Sequence, residues 1–544
     1  MSRPHPADLS VWKKLEKQAH TMNQSENHLK YLIEQPDRLS DFSLKAEAFF
    51  YDFSRQRLNG VTLSLLLELA KERDVLQQFS AMRSGAIVNR TEDRAALHTA
   101  SRSFSEQPVW VNGVNVTPEI SRIRMQIKDF SEKVHAEIIT GSTGKPFRHI
   151  VVIGIGGSYL GTAFVSEALD AYADKGMKIH YLANVDSHNF GSIARKIDPK
   201  ATLWIVISKS YTTAETMANE ALARAFMRDK GLEPNKHFVT VTAKGSPGDK
   251  PDSGDILASF HMFDFIGGRY SVTSAVGGVP LSLLLGFDRF ERFLKGAEAM
   301  DQHAADTPAS RNIPLMAALI SIWNNNFLKY PTQAIIPYAE PLSKLAPHVQ
   351  QLNMESNGKS VSADGLPMTI ETGGIVFGEP GTNAQHSFFQ LAHQGRPFPV
   401  EFIGVVTPQY TQYTQLSKGV TNHQELWSNL ISQPRALAIG KDSDDPARFF
   451  SGNRPSATIL LDDLSPESVG GLLAYYEAKT VFEAFIWGIN PFDQFGVELG
   501  KKLASGIREE MAQKNRDSSH SFDKTDTISR FYLDTLFANT KPIG

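Results

Sequence analysis

The sequence predicts an α/β fold built from two parallel-rich sheets, each covered by helices on both faces. Three observations carry this reading. Short apolar runs rich in β-branched residues alternate with helical patterns through the middle of the chain, the signature of strands joined by crossover helices. The alternation occurs twice, before and after a boundary near Leu285 to Glu291, which suggests a duplicated architecture. No low-complexity linker separates the two blocks, so they are expected to pack together rather than hang on a tether.

The elements follow in order. From the start to about Ser80 the pattern is amphipathic helix with charged flanks, followed by a polar stretch from Thr91 to Val116. The first block then reads HIVVIGIGG, KIHYLAN, ATLWIVISKS and HFVTVTA, with helical segments between. The second reads QAIIPYA, GGIVFGE, PVEFIGVVT and SATILLDDL. Near the end, Pro491 and Asp493 suit a helix start. Phe495, Leu499, Leu503 and Ile507 then recur every four residues as an expected buried ridge.

Composition narrows the function. A chain of 544 residues with 41% hydrophobic content is ample for roughly two to four domains. The formal net charge of -3 gives no reason to expect nucleic acid or an anionic membrane as partner. The absence of cysteine excludes disulfides, thiol catalysis, iron–sulfur clusters and cysteine-ligated zinc, and fits a reducing cytosol. MSRPHPADLSVWKK has no apolar signal core, and LSLLLGF, Leu281 to Phe287, is far too short to span a bilayer. These features predict a soluble, intracellular protein.

Several segments carry chemistry. The first strand of the parallel block runs into Gly154-Ile155-Gly156-Gly157-Ser158-Tyr159-Leu160-Gly161. A dinucleotide fingerprint needs glycine or alanine where Tyr159 stands, and a P-loop needs lysine where Thr162 stands. What remains is a bare backbone at a helix start, suited to an oxyanion with Ser158 as an extra donor, or else a plain tight turn. The third strand ends in Ser208-Lys209-Ser210-Tyr211-Thr212-Thr213 ahead of a helix with the stripe Met217, Ala218, Ala221, Leu222 and Ala225. Hydroxyls and one ammonium beside a helix N-terminus offer the donors a phosphate dianion needs, and a capping box between Thr212 and Glu215 is expected alongside.

Arg269 follows two glycines in Phe265-Ile266-Gly267-Gly268-Arg269-Tyr270-Ser271. It suits an enediolate oxygen or a structural pairing with a carboxylate. Leu342, Leu345, Val349 and Leu352 form a helical stripe that leaves Gln351 and Glu355 one turn apart on another face. After GGIVFGE, Gly378 to His386 opens a further helix on which His386 and His393 share a face, without a carboxylate at metal-ligand spacing. Gln494 and Lys501, seven residues apart on the last amphipathic helix, point the same way and either reach one ligand, if that side lines a cleft, or belong to a solvated face with a Glu498–Lys501 pair three apart.

Taken together, GIGGS, SKSYTT, IGGRYS, MESNGK, GTNAQH and FDQFGVELGK resemble, in order and spacing, the signatures of the glucose-6-phosphate isomerase family. The resemblance covers nearly the whole chain. It implies two sugar-isomerase-type (SIS) three-layer αβα domains with parallel-rich sheets plus a helical C-terminal arm. Residues 115–285 would form the smaller domain with the phosphate loop, 1–114 and 286–510 the larger one, and 511–544 the arm. It further implies a homodimer with shared active sites, a sugar-phosphate substrate, a cytoplasmic location, and no metal or organic cofactor.

Carried over segment by segment, Gly157, Ser158, Ser208, Lys209, Ser210 and Thr213 match the sugar-phosphate cradle, Gln351 and Gln494 contact sugar, and Arg269 stabilises developing charge. Glu355, His386 and Lys501 match catalytic positions. Two departures stand out: Tyr159 replaces an aspartate common after GGS, and Ser210 replaces a threonine common in the phosphate loop. The implied reaction interconverts glucose 6-phosphate and fructose 6-phosphate through a cis-enediol. A relaxed isomerase that also takes mannose 6-phosphate is the alternative among enzymes. A non-catalytic sugar-phosphate sensor is the alternative outside them, and it would be expected to lack Glu355, His386 or Lys501, all of which are present.

Overall fold

A computed structural model describes residues 4–46, 48–250 and 254–539. The chain divides into a large unit up to Phe492 and a small one from Asp493 onward. In the large unit, strands β1 (Ser43–Ala46) and β2 (Phe49–Asp52) form an N-terminal hairpin, and β3 (Trp110–Val111) and β4 (Val114–Asn115) a second, short one. The first parallel sheet contains β5 (His149–Ile153), β6 (Lys178–Leu182), β7 (Thr202–Ile207), β8 (Phe238–Ala243) and β9 (Ala258–Met262) in the order β6-β5-β7-β8-β9. The second contains β10 (Thr332–Tyr338), β11 (Ile375–Phe377) and β12 (Val400–Val405). After a small hairpin of β13 (Leu416–Ser417) and β14 (Val420–Thr421) comes its last strand, β15 (Ser456–Leu461). Its order is β1-β2-β15-β12-β10-β11.

Every pairing within the first sheet is parallel, as are those among β11, β10, β12 and β15. All eight expected strands are therefore present, and both blocks are α/β. Beyond these eight, the sequence pattern points to none of the other strands: the short hairpins β3–β4 and β13–β14, and β1, β2 and β9 within the two large sheets. The first 80 residues were read as helical, yet Ser43–Asp52 folds into a hairpin whose second strand pairs antiparallel with β15. Each strand is only four residues long, too short for a period to declare itself, and its stabilising partner is remote in sequence. The edge strand β9, with the mixed sequence ASFHM, also escaped notice.

The helix Ala214–Asp229 is rotated from the expected stripe. Thr216, Asn219, Glu220, Ala223 and Met227 are buried, whereas Ala218, Ala221, Leu222 and Ala225 are exposed. Polar partners decide this: Glu220 accepts from the Tyr211 hydroxyl at 2.7 Å and from Arg224, and Asn219 donates to the carbonyl of Asn184.

One helix, Pro466–Trp487, is buried on almost every side and packs against helices Val75–Arg83, Phe287–Asp306, Ile313–Ile322 and Leu345–Asn357. It is the centre of the main core, and it carries charges there. Arg102, fully buried, donates through Nε and Nη2 to both oxygens of Asp301 at 2.7 Å and through Nη1 to Glu477. Burial pushes Glu477 up to about 7, against the opposing pull of Arg102. A carboxyl whose folded pKa is raised holds its proton better in the folded chain. Its contribution to stability is therefore fully present below the ordinary value of 4.5 and is lost as pH rises toward about 7. Glu477→Gln should flatten the decline of Tm across this interval; an unchanged slope would show that Glu477 does not carry the proton.

In the small unit, helix Glu498–Arg516 follows a single 3-10 turn, Phe495–Val497, and is succeeded by helix Thr527–Asn539. The expected buried ridge is not buried: Phe495, Leu499 and Leu503 are exposed and Ile507 only half-buried. Contacts inside this unit gather instead at the far end of the helix. There Glu510 pairs with His520 at 2.8 Å, and Lys514 donates to the carbonyls of Ser518 and His520. Gln494 precedes the 3-10 turn with φ −153°, so it does not share a helical face with Lys501. Among the described residues, no helix is long and apolar enough to cross a membrane.

Candidate active site

The chain lays down β5, then β6 on one side of it and β7 on the other. The crossovers leave in opposite directions, which opens a crevice at the carboxyl ends of β5 and β7. The two loops emerging there are Gly154 to Ser158 and Ser208 to Thr213. In the first, Gly156 has φ +57°, and a Cβ on Gly157 would lie 2.2 Å from the carbonyl carbon of Gly268. Only glycine allows this approach, which brings the β5 loop against the Gly267–Arg269 backbone. Ser158 then ends a 3-10 turn, and Tyr159, its ring tilted 59° to that of Tyr181 with centroids 5.2 Å apart, precedes helix Leu160–Ala168 and makes no side-chain cap bond to it.

In the second loop, Ser208 is buried with its Oγ 3.4 Å from Thr213 Oγ1, and the hydroxyls of Ser210 and Thr212 lie 2.6 Å apart. Tyr211 adopts φ +54°, held by its hydrogen bond to Glu220. Thr213 occupies the N-cap of helix Ala214–Asp229 and makes no side-chain cap bond. The expected Thr212–Glu215 capping box is therefore absent, and the first-turn amides of this helix are left to other acceptors. Lys209 donates from Nζ to the Asp264 carbonyl at 3.0 Å and lies 3.5 Å from its carboxylate. Burial lowers its pKa, partly offset by Asp264.

The second wall comes from helix Leu345–Asn357. Leu342, Leu345, Val349 and Leu352 are buried as the stripe required, which turns Gln351 and Glu355 to another face. Gln351 Nε2 donates to Glu355 Oε2 at 3.1 Å, and the same oxygen is 3.4 Å from Arg269 Nη1. Gln351 Nε2 would also lie 3.2 Å from a Cβ on Gly156, so the amide packs close against the β5 loop. Arg269 is itself buried: Nε donates to Ser356 Oγ at 2.7 Å, Nη2 to the Pro491 carbonyl, and Ser356 Oγ is 2.9 Å from the Tyr270 hydroxyl. Of the two sequence readings of Arg269, the structure shows the pairing with a carboxylate, and the partner is Glu355. His348 on the same helix stacks on Phe164 and is kept neutral at physiological pH, burial having lowered it to about 4.

The geometry therefore brings together Gly157, Arg269, Gln351 and Glu355, beside a crevice edged by Ser158, Ser208, Lys209, Ser210 and Thr213. His386 is the exposed C-cap of the five-residue helix Gly381–Gln385, and it makes no hydrogen bond or ion pair with Glu355. The expected face shared with His393 does not exist. The chain turns at His386, and His393 lies on the separate helix Phe389–Gln394 with its ring nitrogen 3.0 Å from Gln433. Gln494 and Lys501 belong to the small unit.

Ser356, Tyr270 and Asp264 were missed from sequence. Their neighbours in MESNGK and IGGRYS pointed to the right segments, but a serine and a tyrosine that meet 86 residues apart leave no local trace. Among the described residues no three potential metal ligands cluster.

The profile of the phosphoglucose isomerase family matches residues 52–528. The glucose-6-phosphate isomerase of Desulfosudis oleivorans is 66% identical over 532 residues, covering 97% of each chain. The cytosolic glucose-6-phosphate isomerase of Arabidopsis thaliana is 42% identical over 549 residues, again 97% of each. A crystal structure of a glucose-6-phosphate isomerase from Chlamydia trachomatis matches with TM-score 0.89 at 37% identity, covering 99% of this chain and 100% of that one. With a profile match over most of its length and relatives at this identity and coverage, the chain belongs to the phosphoglucose isomerase family.

Proposed function

We propose that this chain interconverts glucose 6-phosphate and fructose 6-phosphate by moving one proton between adjacent carbons through a cis-enediol. The observation that carries the reading is the Glu355 carboxylate, half-buried and 3.4 Å from the buried Arg269 guanidinium. Glu355 takes the proton from the second carbon and returns it to the first. Arg269 stabilises the negative charge that develops on the enediol oxygen, an effect worth on the order of 3 kcal/mol for one well-aimed donor. The phosphate sits on the hydroxyls and amides of Ser158, Ser208, Ser210 and Thr213 with Lys209 nearby, and Gln351 and Gln494 contact the sugar. His386 and Lys501 exchange protons at the ring oxygen and first hydroxyl, a task that suits histidine.

The direct test is a coupled assay on purified protein with fructose 6-phosphate; no glucose 6-phosphate formed would end the reading. Lys209→Ala should chiefly raise KM, by roughly tenfold, since it removes ground-state and transition-state binding alike. A fall in kcat at unchanged KM would move Lys209 out of the phosphate cradle.

The cytosolic naming of the plant relative supports placing the enzyme in the cytoplasm. The exposure of His386, together with the apolar residues left bare on helix Glu498–Arg516, supports a homodimer in which each chain lends His386 to its neighbour's site. Glu355→Gln and His386→Ala are then each inactive alone. Mixed under subunit exchange, they should recover about a quarter of the parent activity, because half the dimers are hybrid and each hybrid has one intact site. Exchange verified by mass spectrometry with no recovery would place His386 in the site of its own chain.

A further inference from the structure

Helix Leu345–Asn357 presents Glu355 to the site, and two residues to either side of Glu355 it turns asparagines inward. Asn353 Nδ2 and Asn357 Nδ2 donate to one oxygen, Glu483 Oε2, at 2.6 and 2.8 Å, and Asn357 Nδ2 also reaches the Thr480 carbonyl at 3.3 Å. The other Glu483 oxygen lies 3.2 Å from Lys479 Nζ. All four side chains are buried. Burial opposes the charge on Lys479, yet Glu483 and Glu401 hold its pKa above the ordinary value.

A buried ion pair is a poor source of stability, since apolar residues of similar volume commonly do as well. What apolar packing does poorly here is fix rotation. Beside Asn353 lies a small cavity of about 30 Å³, also lined by Gln333, Asn324 and Glu401, so this flank of the helix is not closed by tight packing. Two amides on successive turns converging on a single oxygen satisfy only one rotation and one axial position of the helix. On the site side, Ser356 receives Arg269. Glu355 is thereby bracketed by bonded residues at 353, 356 and 357.

We infer that Glu483, backed by Lys479, is a positioning residue for the reaction, clamping Asn353 and Asn357 so that Glu355 meets the substrate carbon in the orientation proton transfer needs. The inference rests on the reading of Glu355 as the proton-transfer group. It acts through the helix and touches no substrate.

The experiment compares Glu483→Met with Glu483→Gln, the latter keeping an oxygen for both asparagines. Glu483→Met should lower kcat by about tenfold to a hundredfold, as a misplaced reacting group does, with KM within about threefold of the parent. Affinity for sorbitol 6-phosphate, which lacks the carbonyl and cannot react, should be unchanged. Glu483→Gln should recover most of the lost kcat. Should Glu483→Met fail to fold, Asn353→Ala with Asn357→Ala removes the clamp from the other side, and the same split is expected.

Parent-like kcat in the asparagine double variant, or in a folded Glu483→Met, overturns the inference. So does a parallel loss of kcat, affinity and folded protein. Glu355→Gln separates the two levels: if it remains fully active, the proton-transfer reading is wrong whatever Glu483 does. If it is inactive while the clamp variants are normal, only the clamp is wrong.

Discussion

Glu355→Gln is expected to lower kcat by roughly 10²- to 10⁴-fold, the range that a positioned acid–base group supplies, while sorbitol 6-phosphate still binds. The amide is nearly isosteric with the carboxylate, so the crevice keeps its shape, but it cannot accept a proton from carbon. Arg269 does not become stranded by the change. Ser356 and the Pro491 carbonyl continue to receive it, and the guanidinium stays available for the enediol oxygen. Steady-state kinetics beside calorimetric titration of the analogue separates the two effects. A kcat within about tenfold of the parent would remove Glu355 from the proton path.

Arg102→Met should be the most damaging substitution for stability. Asp301 and Glu477 are at most 2% exposed, and Arg102 donates to both. Without it, two carboxyls face a dry core with no cation, and removing one partner of a buried pair costs about 3–5 kcal/mol. Both carboxyls can remain buried only by taking up protons, so the damage should deepen as pH rises. Thermal unfolding of the variant at two pH values checks this, with Arg102→Met/Glu477→Gln expected to regain part of the loss. A Tm for Arg102→Met close to the parent's at neutral pH would mean that water reaches the cluster.

The parallel strands were legible because HIVVI and TLWIVI lie under helices on both faces and their apolar runs are nearly unbroken. The hairpin Ser43–Asp52 was not, because what holds it in place is β15, and a partner that far along the chain leaves no mark on eight short residues. The site divides in the same way. Gln351 and Glu355 follow from a spacing of four on one helix, and the structure joins them directly. The pairing of Arg269 with Ser356 spans 87 residues and could be seen only in three dimensions. Gln494 and Lys501 misled because a seven-residue spacing has directional meaning only inside a helix, and this one begins at Glu498. The helix Ala214–Asp229 misled for another reason. Ala218, Ala221 and Ala225 mark the outer face, while a glutamate and an asparagine with fixed partners lie on the inner one.

The join between β2 and β15 also sets an order in time. The first parallel sheet, from His149 to Met262, has all its strands once that stretch has left the ribosome. The second cannot close until Ser456–Leu461 arrives to lie between β2 and β12. At typical rates of synthesis the hairpin bearing Phe49, Phe50 and Tyr51 waits roughly 20 to 80 seconds for its neighbour, with an open strand edge throughout. Nascent chains of this protein therefore carry their adhesive segment at the front and its cover near the back, and slower translation lengthens the interval in which one chain's hairpin can find another's.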